Sequence, residues 1–408
     1  MSRDFRSITH KMAVGMLTLV TLPTAARDWD QWQGPDRNLI STETGWQADW
    51  TTKKPTRLWA TNVGKGYSAL SISEGRAYTV GNKGGQETVY CFDAELGKKI
   101  WSHSYRCGLV ANLHSGGSAA TPTIDADRVY TLSREGHLYC FRKSDGKILW
   151  NLNLTKELSL EVPDWGFSSS PLVDGEKLIL DAGPLVAFDK NSGDQIWKTR
   201  NYNAGYGSPA LFEDGKNRYV TILNNDALLL ARIADGKVTA EFPWKTQYRT
   251  SSTTPIVHAG TVFISTAYNR GCALLDVRGG KFTKRYENKS MRNHMNNSVL
   301  FEGFLYGFDR TATPRRRAHL ICVEHETGRV RWKQSGFGSG GITLVDKKLI
   351  VLGDEGELVI ARANPEKFVA LSRQQVLRGT CWTMPVLSGG RIYCRNELGD
   401  IVCLDVRN

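Results

Sequence analysis

The chain is 408 residues long, with 40% hydrophobic and 23% charged residues, 40 Gly and 13 Pro. That is an ordinary globular composition, which excludes collagen, a long coiled coil and wholesale disorder. Lys plus Arg outnumber Asp plus Glu by 53 to 41, a formal net charge of +12. A basic balance suits acidic partners without naming one. No run of 18 apolar residues occurs, so the body of the chain has no transmembrane helix.

In chain order, the first element is an address. Arg3, Arg6 and Lys11 are followed by an apolar run from Met12 to Leu22, then Pro23 and the small residues Thr24 to Ala26. This order predicts a cleaved secretory signal peptide over 1–26 and an exported protein, periplasmic or secreted. Residues 27–56, with Trp29, Trp32, Trp46 and Trp50, form a Trp-rich segment expected to lie over the remainder.

From residue 57 the text repeats. Trp101, Trp150, Trp197, Trp244 and Trp332 are spaced 49, 47, 47 and 88 residues apart, and around four of them a phrase recurs: CFDAELGKKIW, CFRKSDGKILW, AFDKNSGDQIW and CVEHETGRVRW. The segment at Trp244 keeps the period in a looser register. Upstream of each phrase comes an anchor, apolar residues, a turn and a β-rich run. The anchors Leu70, Pro122, Pro171, Pro209, Pro255, Ser298, Ile342 and Pro385 step by 52, 49, 38, 46, 43, 44 and 43. Four short strands joined by Gly-containing turns at this period predict an all-β fold, an eight-bladed β-propeller of four-stranded antiparallel blades. The last unit runs out of chain after three strands, so PTRLWAT, holding Trp59, is expected to supply the fourth and close the ring over 57–408.

The small-x-Asp-x-x-x-Gly-x-x-x-Trp phrase resembles the tryptophan-docking motif of the pyrroloquinoline-quinone-like propeller family. That family holds both quinoprotein alcohol dehydrogenases and non-enzymatic BamB-type propellers. The resemblance implies that Trp59, Trp101, Trp150, Trp197 and Trp332 are structural, each packed between neighbouring blades.

Eight cysteines in an exported chain raise the question of disulfides. Cys91, Cys140, Cys322 and Cys403 occupy a repeat slot read as filled by Ala187, Ala231 and Ala361 elsewhere, which makes them small buried side chains. A two-residue Leu398-Gly399 turn would set Cys394 opposite Cys403, close enough for a cross-strand disulfide. Cys107, Cys272 and Cys381 have no partner in the pattern. No Cys-x-x-Cys pair exists, so no metal site is predicted.

The loops entering the innermost strands are expected to line one mouth of the ring. They carry His114, Trp165, Tyr206, Arg249, Arg292, His294, Arg378 and Trp382, a basic, aromatic set suited to an anion or a peptide. The dehydrogenases of the resembled family use a quinone with Ca²⁺ as Lewis acid and a carboxylate base. Calcium asks for hard oxygen ligands, and the only carboxylates in these loops are Glu161 and Asp164, both in one loop. The adjacent-cysteine pair of those enzymes is absent. No Gly-x-Gly-x-x-Gly leads a helix, and neither a phosphate loop nor a nucleophile elbow is present. The Arg315–Arg317 run reads as a solvated loop tip, not a nucleic-acid site. The expectation is a monomeric, non-catalytic ring without cofactor that recognises a protein or cell-envelope partner. The alternative is a dehydrogenase of alcohols or sugars using pyrroloquinoline quinone and Ca²⁺.

Overall fold

The computed structural model describes residues 28–112, 114–310 and 318–408. The leader over 1–26 and the Arg315–Arg317 run lie outside the described residues.

Eight antiparallel sheets follow one another along the chain: seven have four consecutive strands, over 71–106, 123–153, 172–198, 210–243, 256–288, 299–334 and 341–375, and the eighth has three, over 386–405. They are blades 1 to 8. Seven open on a strand one residue past the anchor, Ser71–Ser73, Thr123–Asp125 and Val386–Ser388 among them, and blade 7 opens at Gly341, one residue before its anchor. Thr56–Asn62 pairs antiparallel with Asp400–Asp405 and completes blade 8, so the ring closes as expected. Among the described residues the one α-helix is Leu154–Glu157, and no helix is long and apolar enough to cross a membrane.

The repeated phrase makes the outer seams. The Nε1 atoms of Trp59, Trp101, Trp150, Trp197 and Trp332 donate to the carbonyls of Ala94, Lys143, Lys190, Ile233 and Asn364 in the next blade, at 2.8–3.1 Å. Four of these rings lie flat against the glycine of the neighbouring phrase. A Cβ on Gly146, already at φ +73°, would sit 2.5 Å from the Trp101 ring. The glycine is thus required by its neighbour's tryptophan as much as by its own turn. Opposite each tryptophan stands a small residue: Cys91, Cys140, Ala187, Cys322 or Cys403.

Three seams differ. In blade 5 Tyr286 replaces the tryptophan and its hydroxyl donates to the His325 carbonyl at 2.8 Å. In blades 4 and 7 the position is Ala240 or Ser372, and the facing slot holds Leu230 or Ile360. Ala231 and Ala361 therefore lie one residue past the slot assigned to them from sequence, and bulk lost on one strand is restored on the other. Trp244 crosses from blade 4 to blade 5 beyond its strand, donating to Thr266 Oγ1 at 2.9 Å beneath the Arg270 guanidinium. At the blade 7–8 seam the N-terminal segment intervenes: Trp50 N donates to Ser372 Oγ, and Trp46 and Trp50 pack with Leu387 and Leu404.

All eight cysteines are buried and free. Cys394 pairs with Val402 and Cys403 with Tyr393, so the disulfide expectation fails. The hairpin loop has three residues, Glu397 to Gly399, with Gly399 at φ +90°. One extra loop residue slips the register by one and sends the two thiols to opposite faces.

Residues 28–41 cross the axis. Trp29 exchanges two backbone bonds with Ile72, Asp30 O accepts from Ile124 N, and Ile40–Ser41 runs parallel to Gly341–Val345. Arg37, buried, donates to the carbonyls of Ser170 and Pro171. Burial is the main cause of a guanidinium pKa lowered to about 9 there.

Candidate functional site

A second belt surrounds the axis. In five blades the residue before the anchor offers a side-chain oxygen to the preceding blade: Ala69 N donates to Thr121 Oγ1, Thr121 N to Ser170 Oγ, Ser170 N to Ser208 Oγ, Ser208 N to Thr254 Oγ1 and Thr254 N to Asn297 Oδ1. Strand edges that would otherwise be buried without partners are satisfied in this way. The sequence signal is the run of Ser-Pro and Thr-Pro anchors, whose spacing gives the period of the repeat but not this bonding.

Above this belt the entry loops enclose a cavity of about 450 Å³, a size that suits a small ligand or a few side chains of a partner. Of the residues singled out from sequence, His114, Trp165, Tyr206, His294 and Trp382 line it. Three others do not. Arg292 is turned away into a bidentate pair with buried Asp309, both bonds 2.7 Å. Arg249 and Arg378 are exposed and do not line the cavity.

One wall is a chain of rings. Tyr67 stacks on Trp382 with centroids 5.5 Å apart, His114 meets Tyr67 edge-on at 5.5 Å, and Trp165 lies 5.2 Å beyond His114. The wall is fixed from behind, since Tyr67 Oη donates to Glu397 at 2.8 Å and Gly116 N donates to His114 Nδ1 at 2.9 Å. A second group starts at Arg310, whose Nη1 donates to His294 Nδ1 at 2.7 Å. The other nitrogen, Nε2, then carries the proton of a neutral ring and donates to Tyr268 Oη, also at 2.7 Å. Trp32 comes from the axial segment, held by a 3.0 Å bond to Thr254 Oγ1. Ser168, Ser170, Ser208, Thr250, Ser252 and Thr383, with Gly117, Ala119 and Met295, complete the lining. Trp32, Tyr67, Tyr268 and Arg310 escaped the sequence reading because none sits in an entry loop as it was delimited there.

The acids nearby serve the walls. Glu87, fully buried, accepts from Tyr105 Oη at 2.6 Å and from Ser118 Oγ. Burial pushes its carboxyl up to about 7 against those two bonds. Asp181 is likewise raised to about 7, chiefly by burial, while accepting from Gly183 N and Gly205 N at 2.9 Å. Glu161 and Asp164 are exposed outside the lining. Among the described residues the lining therefore contains no carboxylate. That donor set does not fit a calcium ion, which takes 6–8 oxygen ligands and draws on carboxylates, nor does it supply an acid as general base.

No curated protein matches the chain in sequence. Among solved structures, BamB from Moraxella catarrhalis superposes with TM-score 0.62 at 14% identity, covering 86% of this chain and 98% of that one. Quinohemoprotein alcohol dehydrogenase from Comamonas testosteroni gives TM-score 0.68 at 13% identity, covering 94% and 81%. A europium-containing methanol dehydrogenase gives 0.69 at 11% identity, covering 94% and 90%. At such identities these likenesses speak for the fold, which binders and enzymes share. The family described as outer membrane protein assembly factor BamB matches residues 85–334, more than half of the chain, and the chain belongs to that family.

Proposed function

We propose that this propeller is an exported, non-catalytic recognition module of the cell envelope, which holds a segment of a protein or envelope partner in its axial mouth. The observation that carries the reading is the cavity lining: aromatic rings, hydroxyls, two imidazoles and one guanidinium, with no carboxylate. Such a surface binds through apolar area and hydrogen bonds. It lacks the hard-oxygen ligands and the base that alcohol oxidation asks for. Membership of the BamB family supports an envelope role, and the leader-like residues 1–26 support export.

Two assays test the reading together. Protein incubated with pyrroloquinoline quinone and Ca²⁺ is screened against alcohols and sugars with an electron-accepting dye, and no turnover is expected. A photo-crosslinking residue at Trp165 in the mouth is compared in intact cells with one at Leu96, an exposed site in a turn at the other end of blade 1. The mouth position should give a discrete envelope adduct and the Leu96 position none. Dye reduction with a silent mouth position would overturn the proposal.

A further inference from the structure

We propose that Cys107, Glu135 and His137 form a zinc-type metal site on the rim of the mouth, joining blade 1 to blade 2. Cys107 directly follows the outermost strand of blade 1, Lys99–Arg106. Glu135 lies in the turn before His137–Arg142 of blade 2, and His137 opens that strand. The Cys107 Sγ, one Glu135 carboxylate oxygen and one His137 ring nitrogen all lie within 4.8 Å of one another. Ligands 2.0–2.3 Å from a tetrahedral zinc ion sit about 3.3–3.8 Å apart, so small side-chain rotations close the set.

The surroundings already orient these groups. Gly108 N donates to Glu135 Oε1 at 2.8 Å, Ser133 Oγ bonds His137 Nδ1 at 3.0 Å, and the Tyr105 ring packs on the imidazole at 5.5 Å. Contacts of this kind around a ligand set fix ring orientation and raise metal affinity. Cys107 is buried while Glu135 and His137 are half-buried, which leaves an approach from the mouth face. A thiolate, an imidazole and a carboxylate with a fourth position open is a donor set that zinc and cobalt accept and that magnesium and calcium do not favour. The missing Cys-x-x-Cys motif hid it, because the ligands come from two blades. A bound ion would clamp the start of the loop that brings His114, Gly117 and Ala119 to the cavity.

The test is titration of chelator-treated protein with Co²⁺, followed by absorbance, with Zn²⁺ as competitor. One equivalent should give a thiolate-to-cobalt charge-transfer band that Zn²⁺ abolishes. Cys107→Ser and His137→Ala should remove the band, Glu135→Gln should weaken binding roughly tenfold or more, and His258→Ala, far from the site, should leave it intact. Zn²⁺ should raise the thermal midpoint of the parent and not of Cys107→Ser. If Cys107→Ser fails to fold, the half-exposed His137→Ala and Glu135→Gln decide. No band, or a band that survives loss of Cys107 or His137, overturns the site. Binding without a thiolate band marks an adventitious surface ion only and overturns it equally.

Discussion

The seams between blades and the mouth at their centre are built by the same eight repeats on opposite principles. At the seams, equivalent positions do equivalent things: five tryptophans donate to five carbonyls at 2.8–3.1 Å, and around the axis five backbone amides donate to side-chain oxygens of the next blade. At the mouth, the position three residues before the anchor lines the cavity in seven blades, yet it carries Tyr67, Ala119, Ser168, Tyr206, Ser252, Met295 or Trp382. Where residues recur, the ring needs them to close; where they diverge, closure does not dictate them, and the proposed recognition role is what would.

The largest effects should separate the two regions. Trp101→Ala removes an indole that is 7% exposed, together with its inter-blade bond, and should cost about 3–5 kcal/mol in chemical denaturation. Trp165→Ala, on a half-buried mouth residue, should cost about 1 kcal/mol or less while removing the crosslinking partner's grip. Equal losses at both positions would erase the distinction. Gly146→Ala should approach the tryptophan loss, about 2–4 kcal/mol, since strain at positive φ adds to a Cβ pressed on the Trp101 ring. A methyl group tolerated there would mean that the seam is looser than described.

A smaller effect is read in pH. In the folded ring Glu87 keeps its proton up to about 7, whereas in the unfolded chain it is lost near about 4.3. The folded state thus binds more protons across that window, and this carboxyl's contribution to stability declines as pH rises from about 5 to about 8. Glu87→Gln should therefore gain on the parent over that range in urea midpoints, and a constant gap would show that Glu87 is already ionised in the fold. The smallest effect is Tyr286→Phe, which loses one bond to the His325 carbonyl and should cost about 1 kcal/mol.

What could be read from the text divides along the same line. The blades, their order and the closing strand were legible because Trp, Gly and the Ser-Pro or Thr-Pro anchors recur with a period, and recurrence reports a shared backbone. The compensation of Ala240 by Leu230 and of Ser372 by Ile360 was not, since a one-residue bulge sets which residues face each other. The Cys394–Cys403 pairing failed for a related reason: a loop of two or of three residues reads alike until Gly399 is placed at φ +90°. Five mouth residues were found from loop position alone. Tyr67, Tyr268, Arg310 and Trp32 needed three dimensions, as did the grouping of Cys107 with Glu135 and His137.

The central claim is that the mouth binds without the chemistry its dehydrogenase neighbours share a fold with. Its most direct test is a titration of the purified protein with pyrroloquinoline quinone, with and without Ca²⁺, followed by absorbance and heat. The account predicts no stoichiometric, calcium-dependent signal at tens of micromolar. A saturable one-to-one signal that requires Ca²⁺ and disappears in Trp165→Ala and Trp382→Ala would contradict it and make the cavity a quinone site.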